Sequence, residues 1–293
     1  MIHETFQIGD NPNTTLTTYI SPSAGYLERK PMVIVLPGGG FLDCSYNEGE
    51  CVALHFLRAG MNAAVLVYTN AHTAPGTPAM PRALHDIAEA IALVRVNAEE
   101  WQVDTDRVVL LGFSAGAQLS ALYGGIWRDA KFDATAPVEA RKPNACILGY
   151  PPLEGLGDTK GSENAIDMQA VVGGGERMLK AEAFIRASSM ALCGHYPLTE
   201  ADRDVCAPIR CVGKDNPPTF IWQTFGDEIL NPLQSLHYAE ALSRAGVPCE
   251  LHVFDRGGHG MSLADRTSAR KAKGIDSHVA HWAGLSAEWI ERL

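Results

Sequence analysis

The chain has 293 residues, of which 46% are hydrophobic and 20% are charged. This composition supports a large buried core and excludes a disordered polar chain, a collagen-like fibre and a small disulfide-stapled domain. The 24 basic and 34 acidic residues give a formal net charge of -10. Because that balance repels phosphate backbones and anionic bilayers, we expect no nucleic-acid partner and no membrane partner.

The cysteines and the N-terminal segment bear on location. Seven cysteines follow no repeating spacing, which is typical of reduced thiols and predicts a cytoplasmic protein. The N-terminal segment contains Glu4 and no uninterrupted apolar run, so we expect no secretory signal. No stretch approaches the roughly 18 apolar residues that a membrane helix needs. The sequence therefore predicts a soluble protein with a small-molecule substrate, either a monomer or a homodimer.

Short apolar runs alternate with amphipathic stretches along most of the chain. This alternation predicts an α/β fold with a mainly parallel, twisted sheet and helices on both faces. The predicted strands are residues 16–20, 32–36, 63–68, 108–111, 145–148, 219–223 and 251–254. The predicted helices are residues 48–59, 82–99, 115–127, 233–245 and 279–293.

The alternation stops at residues 151–217, where glycines, prolines and charges surround short helical stretches such as 177–186. A structureless loop of that length is uncommon in a compact domain. We therefore predict a single domain over residues 1–293, with a partly helical cap inserted at 151–217. Its expected place is the carboxyl edge of the sheet, where α/β proteins bind ligands.

A glycine-flanked serine follows one of the predicted strands. The sequence Gly-Phe-Ser-Ala-Gly at 112–116 also opens a predicted helix. This is the context of the nucleophile elbow, a sharp turn that presents a serine above the sheet edge. Glycine at 112 and 116 would let the strand and helix approach closely, where a side chain would clash. The motif predicts Ser114 as a nucleophile; the alternative is a chance glycine turn at a strand end.

A second glycine-rich turn, Pro-Gly-Gly-Gly-Phe at 37–41, directly follows another predicted strand. A loop at this position supplies backbone N–H groups that stabilise the oxyanion formed when a nucleophile attacks an ester carbonyl. The expected donors are the amides of Gly39, Gly40 and Ala115, with Phe41 as a candidate substrate contact. A phosphate-binding loop is the alternative, but no Lys-Ser/Thr follows and the G-x-G-x-x-G spacing is absent.

A nucleophilic serine needs a base and the base needs a carboxylate, in the chain order serine, acid, histidine. Among ten histidines, His259 lies in the turn Gly-Gly-His-Gly after the last predicted strand, so it is the expected base. Asp227 follows the preceding predicted strand and is the expected acid, with Glu228 and Asp255 as rivals. His195, in the insertion, is a candidate substrate contact.

The insertion contains four possible zinc ligands, namely Cys193, His195, Cys206 and Cys211. Their C-x-H and C-x4-C spacings match no common zinc finger. We therefore expect no metal and no cofactor.

With PGGGF, GFSAG, GDE and GGHG in that order, the chain resembles the α/β-hydrolase superfamily over nearly its whole length. More narrowly, it is similar to bacterial esterases described as acetyl-xylan-esterase-like or lipase/esterase-like. The resemblance implies Ser114, Asp227 and His259 as a catalytic triad. Pro37 stands where hormone-sensitive-lipase-type relatives carry histidine, which places the chain outside that branch.

The motifs predict a serine carboxylesterase that works through an acyl-enzyme intermediate. Short acyl groups are expected, because the insertion lacks the long apolar stripe of a lipase lid. The resemblance implies acetyl esters of carbohydrates as the substrate class. Two alternatives stay open: an amidase or peptidase with the same triad, and a non-catalytic ligand-binding protein on the same scaffold.

Overall fold

The computed structural model describes residues 1–21, 29–129, 132, 136–155 and 176–293. The strands in these ranges are β1 Thr5–Gln7, β2 Thr15–Tyr19, β3 Lys30–Leu36, β4 Asn62–Val67, β5 Val103–Phe113, β6 Ala145–Gly149, β7 Thr219–Thr224 and β8 Cys249–Phe254. The α-helices are α1 Glu50–Arg58, α2 Arg82–Val96, α3 Ala115–Ile126, α4 Glu176–Cys193, α5 Glu200–Cys206, α6 Leu233–Arg244 and α7 His281–Ile290.

The strands form one sheet in the order β1-β2-β4-β3-β5-β6-β7-β8. Strand β2 is antiparallel to both of its neighbours, and every other pairing is parallel. The predicted α/β fold with a mainly parallel sheet is therefore confirmed. Strand β1 was not predicted, because its three half-exposed residues are too few to show a pattern.

Both faces of the sheet are covered. Strand β3 shows why: Ile34 packs into a cluster with α2 and α3, whereas its neighbours Val33 and Val35 pack with α1 and α7 on the other face. The second cluster includes Trp222 and Trp282, whose rings stack with centroids 4.8 Å apart. Covered faces explain why the strands are continuous apolar runs in the sequence.

The predicted insertion runs from the end of β6 to the start of β7, and its described part is mainly helical. Residues 177–186, for which a helix was predicted, lie within α4. Helix α5 was not predicted, although Thr199 and Asp202 form a capping box at its start. The glycines at 173–175 lie outside the described residues. Whether 151–217 forms a cap on a single domain stays a prediction.

Helix α4 packs against the segment that precedes α2. The amide N–H groups of Ala79 and Met80 donate to the carbonyl oxygens of Ala191 and Leu192, at 2.8 and 3.0 Å. These contacts fix the C-terminal half of α4 on the body of the protein. Within the described ranges, the structure has no helix that is both long and apolar enough to cross a membrane.

Candidate active site

Ser114 lies in a sharp turn between β5 and α3. Its backbone has a φ of 48° and a ψ of -117°, a conformation that side-chain-bearing residues rarely adopt. The turn is tight because a Cβ at Gly116 would lie 2.1 Å from the carbonyl oxygen of Leu36. A Cβ at Gly112 would lie 2.3 Å from the carbonyl oxygen of Gly116. The glycines therefore have the steric role that the sequence predicted.

The structure brings Ser114, His259 and Asp227 together in one hydrogen-bonded chain. Ser114 Oγ lies 2.9 Å from His259 Nε2, and His259 Nδ1 lies 2.8 Å from Asp227 Oδ2. Because an ionised carboxylate only accepts, the imidazole proton belongs on Nδ1. Nε2 is then free to accept the hydroxyl proton of Ser114. This arrangement can activate the serine as a nucleophile.

Asp227 is held from several directions. Its side chain is fully buried, and its Oδ1 accepts the amide N–H groups of Ile229 and Leu230, both at 2.9 Å. Its Oδ2 also accepts a hydrogen bond from Gln223 Nε2 at 2.9 Å. These hydrogen bonds fix the orientation of the carboxylate, so that Oδ2 faces His259.

The two rival acids occupy other places. Glu228 accepts the backbone N–H of His259 at 3.0 Å, so it supports the histidine loop rather than the imidazole ring. Asp255 is exposed and forms an ion pair with Arg256 at 3.3 Å. Of the three candidate acids, only Asp227 contacts His259 Nδ1 in the structure.

The surroundings of His259 favour its protonated form. Burial lowers the pKa of His259, but the charge and hydrogen bond of Asp227, together with two weaker negative charges, raise it more, so that the pKa lies above its usual value. The negative charges of Glu48 and Glu228 act in the same direction. The site therefore stabilises the imidazolium that forms when His259 takes a proton.

The glycine loop at 38–40 and the start of α3 supply free backbone donors. Gly39 and Gly40 have φ values of 126° and 63°, and a Cβ at Gly39 would lie 2.0 Å from the carbonyl oxygen of Asp43. Among the described residues, the N–H groups of Gly39, Gly40 and Ala115 have no protein acceptor. Gly39 and Gly40 line the cavity that contains Ser114, which makes their free amides candidates for binding a substrate oxygen.

A cavity of about 1030 Å³ opens above these residues. Phe184 and Ile185 of α4 line one part of it, and the basic side chains of Arg270, Lys271 and Lys273 line another. A volume of this size is typical of a site for a small-molecule ligand. The described part of the insertion therefore borders the cavity through α4.

The two predicted substrate contacts lie elsewhere. The side chain of Phe41 is completely buried and packs in the core, because its backbone, with a φ of 62°, turns it inward from the glycine loop. His195 is exposed beyond the end of α4, and its Nε2 lies 2.8 Å from Asp202 Oδ2. Neither residue is among the described residues that line the cavity. The structure therefore does not support these two assignments.

Glu48 is a site residue that sequence reasoning missed. It lines the cavity, yet only 3% of its surface is exposed, and its carboxylate contacts the glycine loop and Tyr150. In the sequence it stands at the start of a predicted helix, where an acidic residue is expected to face solvent. No motif surrounds it, and its partner Tyr150 is 102 positions away.

The residues of the suspected zinc cluster are only partly close together. Cys193 Sγ and Cys206 Sγ lie 3.5 Å apart, whereas His195 contacts Asp202. In the part of the chain that the structure describes, no group of three or more His, Cys, Asp or Glu side chains is placed to hold a metal ion.

The sheet order, the turn at Ser114 and its contacts with His259 define the class of this protein as an α/β hydrolase. The BD-FAE family model matches residues 19–242, and the chain belongs to this family.

Named relatives agree with this assignment. The chain is 30% identical to endo-1,4-beta-xylanase B of Butyrivibrio fibrisolvens, over 87% of this chain and 35% of that protein. It is 25% identical to an acetylxylan esterase of Xylanibacter ruminicola, over 79% of this chain and 41% of that protein. The chain thus spans less than half the length of these two relatives. A crystal structure of an acetyl ester-xyloside bifunctional hydrolase from Caldicellulosiruptor lactoaceticus matches with a TM-score of 0.73 and 31% identity, over 95% of this chain and 88% of that chain.

Proposed function

We propose that the protein is a serine carboxylesterase that hydrolyses short acyl esters. The observation that carries the proposal is the hydrogen-bonded chain from Ser114 Oγ through His259 to Asp227. Ser114 and His259 line the same cavity as Gly39 and Gly40. Nucleophile, base, orienting acid and oxyanion donors are the groups that acyl transfer requires.

In the proposed acylation step, Ser114 Oγ attacks the acyl carbon while His259 Nε2 takes the hydroxyl proton. The negative charge that develops on the carbonyl oxygen is stabilised by the N–H groups of Gly39, Gly40 and Ala115, each worth on the order of 3 kcal/mol. His259 then gives its proton to the alcohol oxygen, the C–O bond breaks and the alcohol leaves.

In the proposed deacylation step, water attacks the acyl-enzyme and gives a proton to His259 Nε2. The second tetrahedral intermediate collapses, the carboxylic acid leaves and the proton returns to Ser114 Oγ. Asp227 stays ionised throughout, holding the Nδ1–H tautomer and stabilising the imidazolium.

Acetyl esters of carbohydrates are the substrate class that we propose for this chemistry. Two similarities support it: one relative is named an acetylxylan esterase, and one structural neighbour is named an acetyl ester-xyloside bifunctional hydrolase. The three basic side chains on the cavity wall are polar groups that could contact a hydroxylated alcohol portion.

The test is hydrolysis of p-nitrophenyl esters of increasing acyl length by the wild type and Ser114→Ala. We expect the highest kcat/KM with acetate, and a loss of about 1,000-fold or more in kcat for Ser114→Ala. Ser286→Ala is the matched control, because Ser286 is a buried serine on α7 whose Oγ bonds to the carbonyl oxygen of Ala283.

Three outcomes would contradict parts of the proposal. Activity that survives in Ser114→Ala would exclude the serine mechanism, and a maximum with long acyl chains would exclude a short-acyl esterase. Faster cleavage of aminoacyl nitroanilides than of acetyl esters would favour an amidase. Release of acetate from acetylated xylo-oligosaccharides, measured directly, tests the carbohydrate assignment.

A further inference from the structure

Glu48 is a buried carboxylate that the proposed mechanism does not use. Its Oε2 accepts the amide N–H of Gly38 at 2.8 Å, and its Oε1 accepts the hydroxyl of Tyr150 at 2.5 Å. Among the described residues, no Lys, Arg or His nitrogen lies within 4 Å of this carboxylate. Two neutral donors therefore hold a carboxylate that has almost no contact with solvent.

The hydrogen bond between Glu48 and Gly38 connects the carboxylate to the oxyanion glycines. Gly38 lies between the carboxylate and the serine, since a Cβ there would be 2.8 Å from Glu48 Oε2 and 2.9 Å from Ser114 Cβ. Gly38 directly precedes Gly39 and Gly40. A hydrogen bond to its amide therefore fixes the backbone from which the two proposed oxyanion donors project.

The hydrogen bond between Glu48 and Tyr150 connects the carboxylate to the histidine loop, the segment from His259 to Ser262. The Tyr150 hydroxyl, which donates to Glu48, accepts the amide N–H of Ser262 at 3.1 Å. The Tyr150 ring also packs edge-to-face on the imidazole of His259, with centroids 4.9 Å apart. Glu48 thus connects, through one tyrosine, to the segment that carries the proposed base.

Placing Glu48 here is costly for the fold. Burial raises the pKa of Glu48, and the hydrogen bonds from Tyr150 and Gly38 offset only part of that effect. Removing a carboxylate from water without a close cation destabilises a protein. Groups of this kind are concentrated at functional sites, where their charge acts on a neighbouring reacting group.

We propose that Glu48 is a positioning residue, which holds the oxyanion loop through Gly38 and the histidine loop through Tyr150, and whose negative charge acts on His259. The proposal rests on the esterase function proposed above. When His259 takes the proton of Ser114, the negative charge of Glu48 stabilises the resulting imidazolium. Asp227 and Glu228 also face His259, and Arg270 lies near enough to act on Glu48.

Glu48→Gln separates shape from charge. The Gly38 amide can only donate, so the side-chain oxygen of the glutamine must face it. The glutamine NH2 then faces the Tyr150 hydroxyl, which loses its acceptor. We expect kcat for p-nitrophenyl acetate to fall about 10- to 100-fold, because small displacements of reacting groups have effects of this size.

Two further measurements distinguish a positioning role of Glu48 from a general disturbance of the structure. KM should change less than about 3-fold, since both oxygens of the Glu48 carboxylate bond to protein groups rather than to substrate. The acidic limb of kcat/KM should move to lower pH in Glu48→Gln, because a charge that raises the pKa of His259 is removed. Glu48→Asp keeps the charge but shortens the side chain, so kcat should fall while the limb stays in place.

Asp86→Asn is the matched control. Asp86 is also a buried carboxylate, and its Oδ2 accepts a backbone N–H, that of Thr69, at 2.7 Å. It lies on α2 and does not line the cavity. Its kcat and acidic limb should match the wild type. A wild-type kcat and limb in Glu48→Gln, or an equal loss in Asp86→Asn, would overturn the proposal.

Two variants keep the test decisive. If Glu48→Gln does not fold, Tyr150→Phe replaces it, because it removes the link to Ser262 while the carboxylate and its bond to Gly38 remain; a wild-type kcat there would overturn the proposal. Ser114→Ala tests the esterase function separately from the role of Glu48. If Ser114→Ala is inactive and Glu48→Gln is normal, the esterase function stands and the assignment of Glu48 fails.

Discussion

At the scale of single residues, reactivity depends on which nitrogen of His259 carries a proton. Asp227 is oriented by three hydrogen bonds besides the one to His259, so it fixes the imidazole with Nδ1 protonated. Ser114 can then donate its proton only to Nε2. The proposed base therefore already lies within hydrogen-bond distance of the proposed nucleophile.

The pH dependence of activity follows from the same contacts. Neutral His259 is the proposed reactive form, and its pKa is raised above 6.5, because the charge and hydrogen bond of Asp227 and the charges of Glu48 and Glu228 together outweigh burial. We therefore expect kcat/KM to fall as the pH is lowered through a value above 6.5. In Asp227→Asn the limb should move to lower pH, and kcat should drop by about 10,000-fold, since the amide favours the wrong tautomer.

Asp255→Asn is the control for this prediction. Asp255 is also an acid close to His259 in the sequence, but it is exposed and paired with Arg256. Its pH profile and kcat should match the wild type. An acidic limb that stays in place in Asp227→Asn would show that another group sets the pKa of the base.

Some of these residues could be predicted from the sequence, and others could not. Ser114, Asp227 and His259 each follow a strand in a recognisable local context, and the structure brings them together. Glu48 and Tyr150 have no such context, because their contact depends on chain segments that meet only in the fold. Phe41 was misjudged, since its neighbours in sequence did not reveal that the backbone turns it into the core.

At the scale of elements, α4 limits the space around the glycine loop. A Cβ at Gly40 would lie 2.6 Å from both Phe184 Cζ and Ser188 Oγ. Helix α4 therefore touches the backbone that provides a proposed oxyanion donor. A shift of this helix is expected to disturb the loop.

Gly40→Ala tests this contact. We expect kcat to fall at least about 10-fold, because either the loop or α4 must move. Adding Phe184→Ala should restore part of the activity, which a double-mutant cycle measures as a coupling between the two sites. If the double variant is no more active than Gly40→Ala, the clash with Phe184 is not the cause.

Gly76→Ala controls for backbone strain alone. Gly76 also has a positive φ, of 75°, but a Cβ there would meet no atom within 4 Å. We expect a loss of about 1 kcal/mol in the free energy of unfolding and no change in kcat.

The elements that the sequence predicted well are those whose packing leaves a periodic pattern. Central strands are apolar on both faces, α2 repeats apolar residues at helical spacing, and α3 begins within the Gly-Phe-Ser-Ala-Gly motif. Strand β5 begins earlier than predicted, at Val103, because its first residues are polar and join β3 across an irregular register. Helix α5 is short and polar, so only its capping box marks it.

At the scale of the whole molecule, two apolar clusters share one sheet. Trp101 and Trp127 belong to the cluster on one face, and Trp222, Trp282 and Trp289 to the cluster on the other. Alternate residues of the same strands contribute to both clusters. Neither cluster can therefore lose its packing while the sheet that supports the other stays intact.

We expect a single cooperative unfolding transition in urea. Far-UV circular dichroism reports the helices, and tryptophan fluorescence reports both clusters, so the two signals should give the same midpoint. A second transition in either signal, or midpoints that differ, would show that the two faces unfold separately.

The positions of backbone strain have a consequence for selection. Six non-glycine residues in the described chain have a positive φ, and three of them, Ser114, Tyr150 and Ser262, belong to the site or directly support it. Such conformations cost about 1 to 3 kcal/mol each. At Ser114, glycine would relieve the strain but would remove the proposed nucleophile, whereas at Tyr150 it would also remove a fully buried ring. A screen that rewards thermal resistance alone would therefore favour the inactive Ser114→Gly, so stability and turnover make opposite demands on this position.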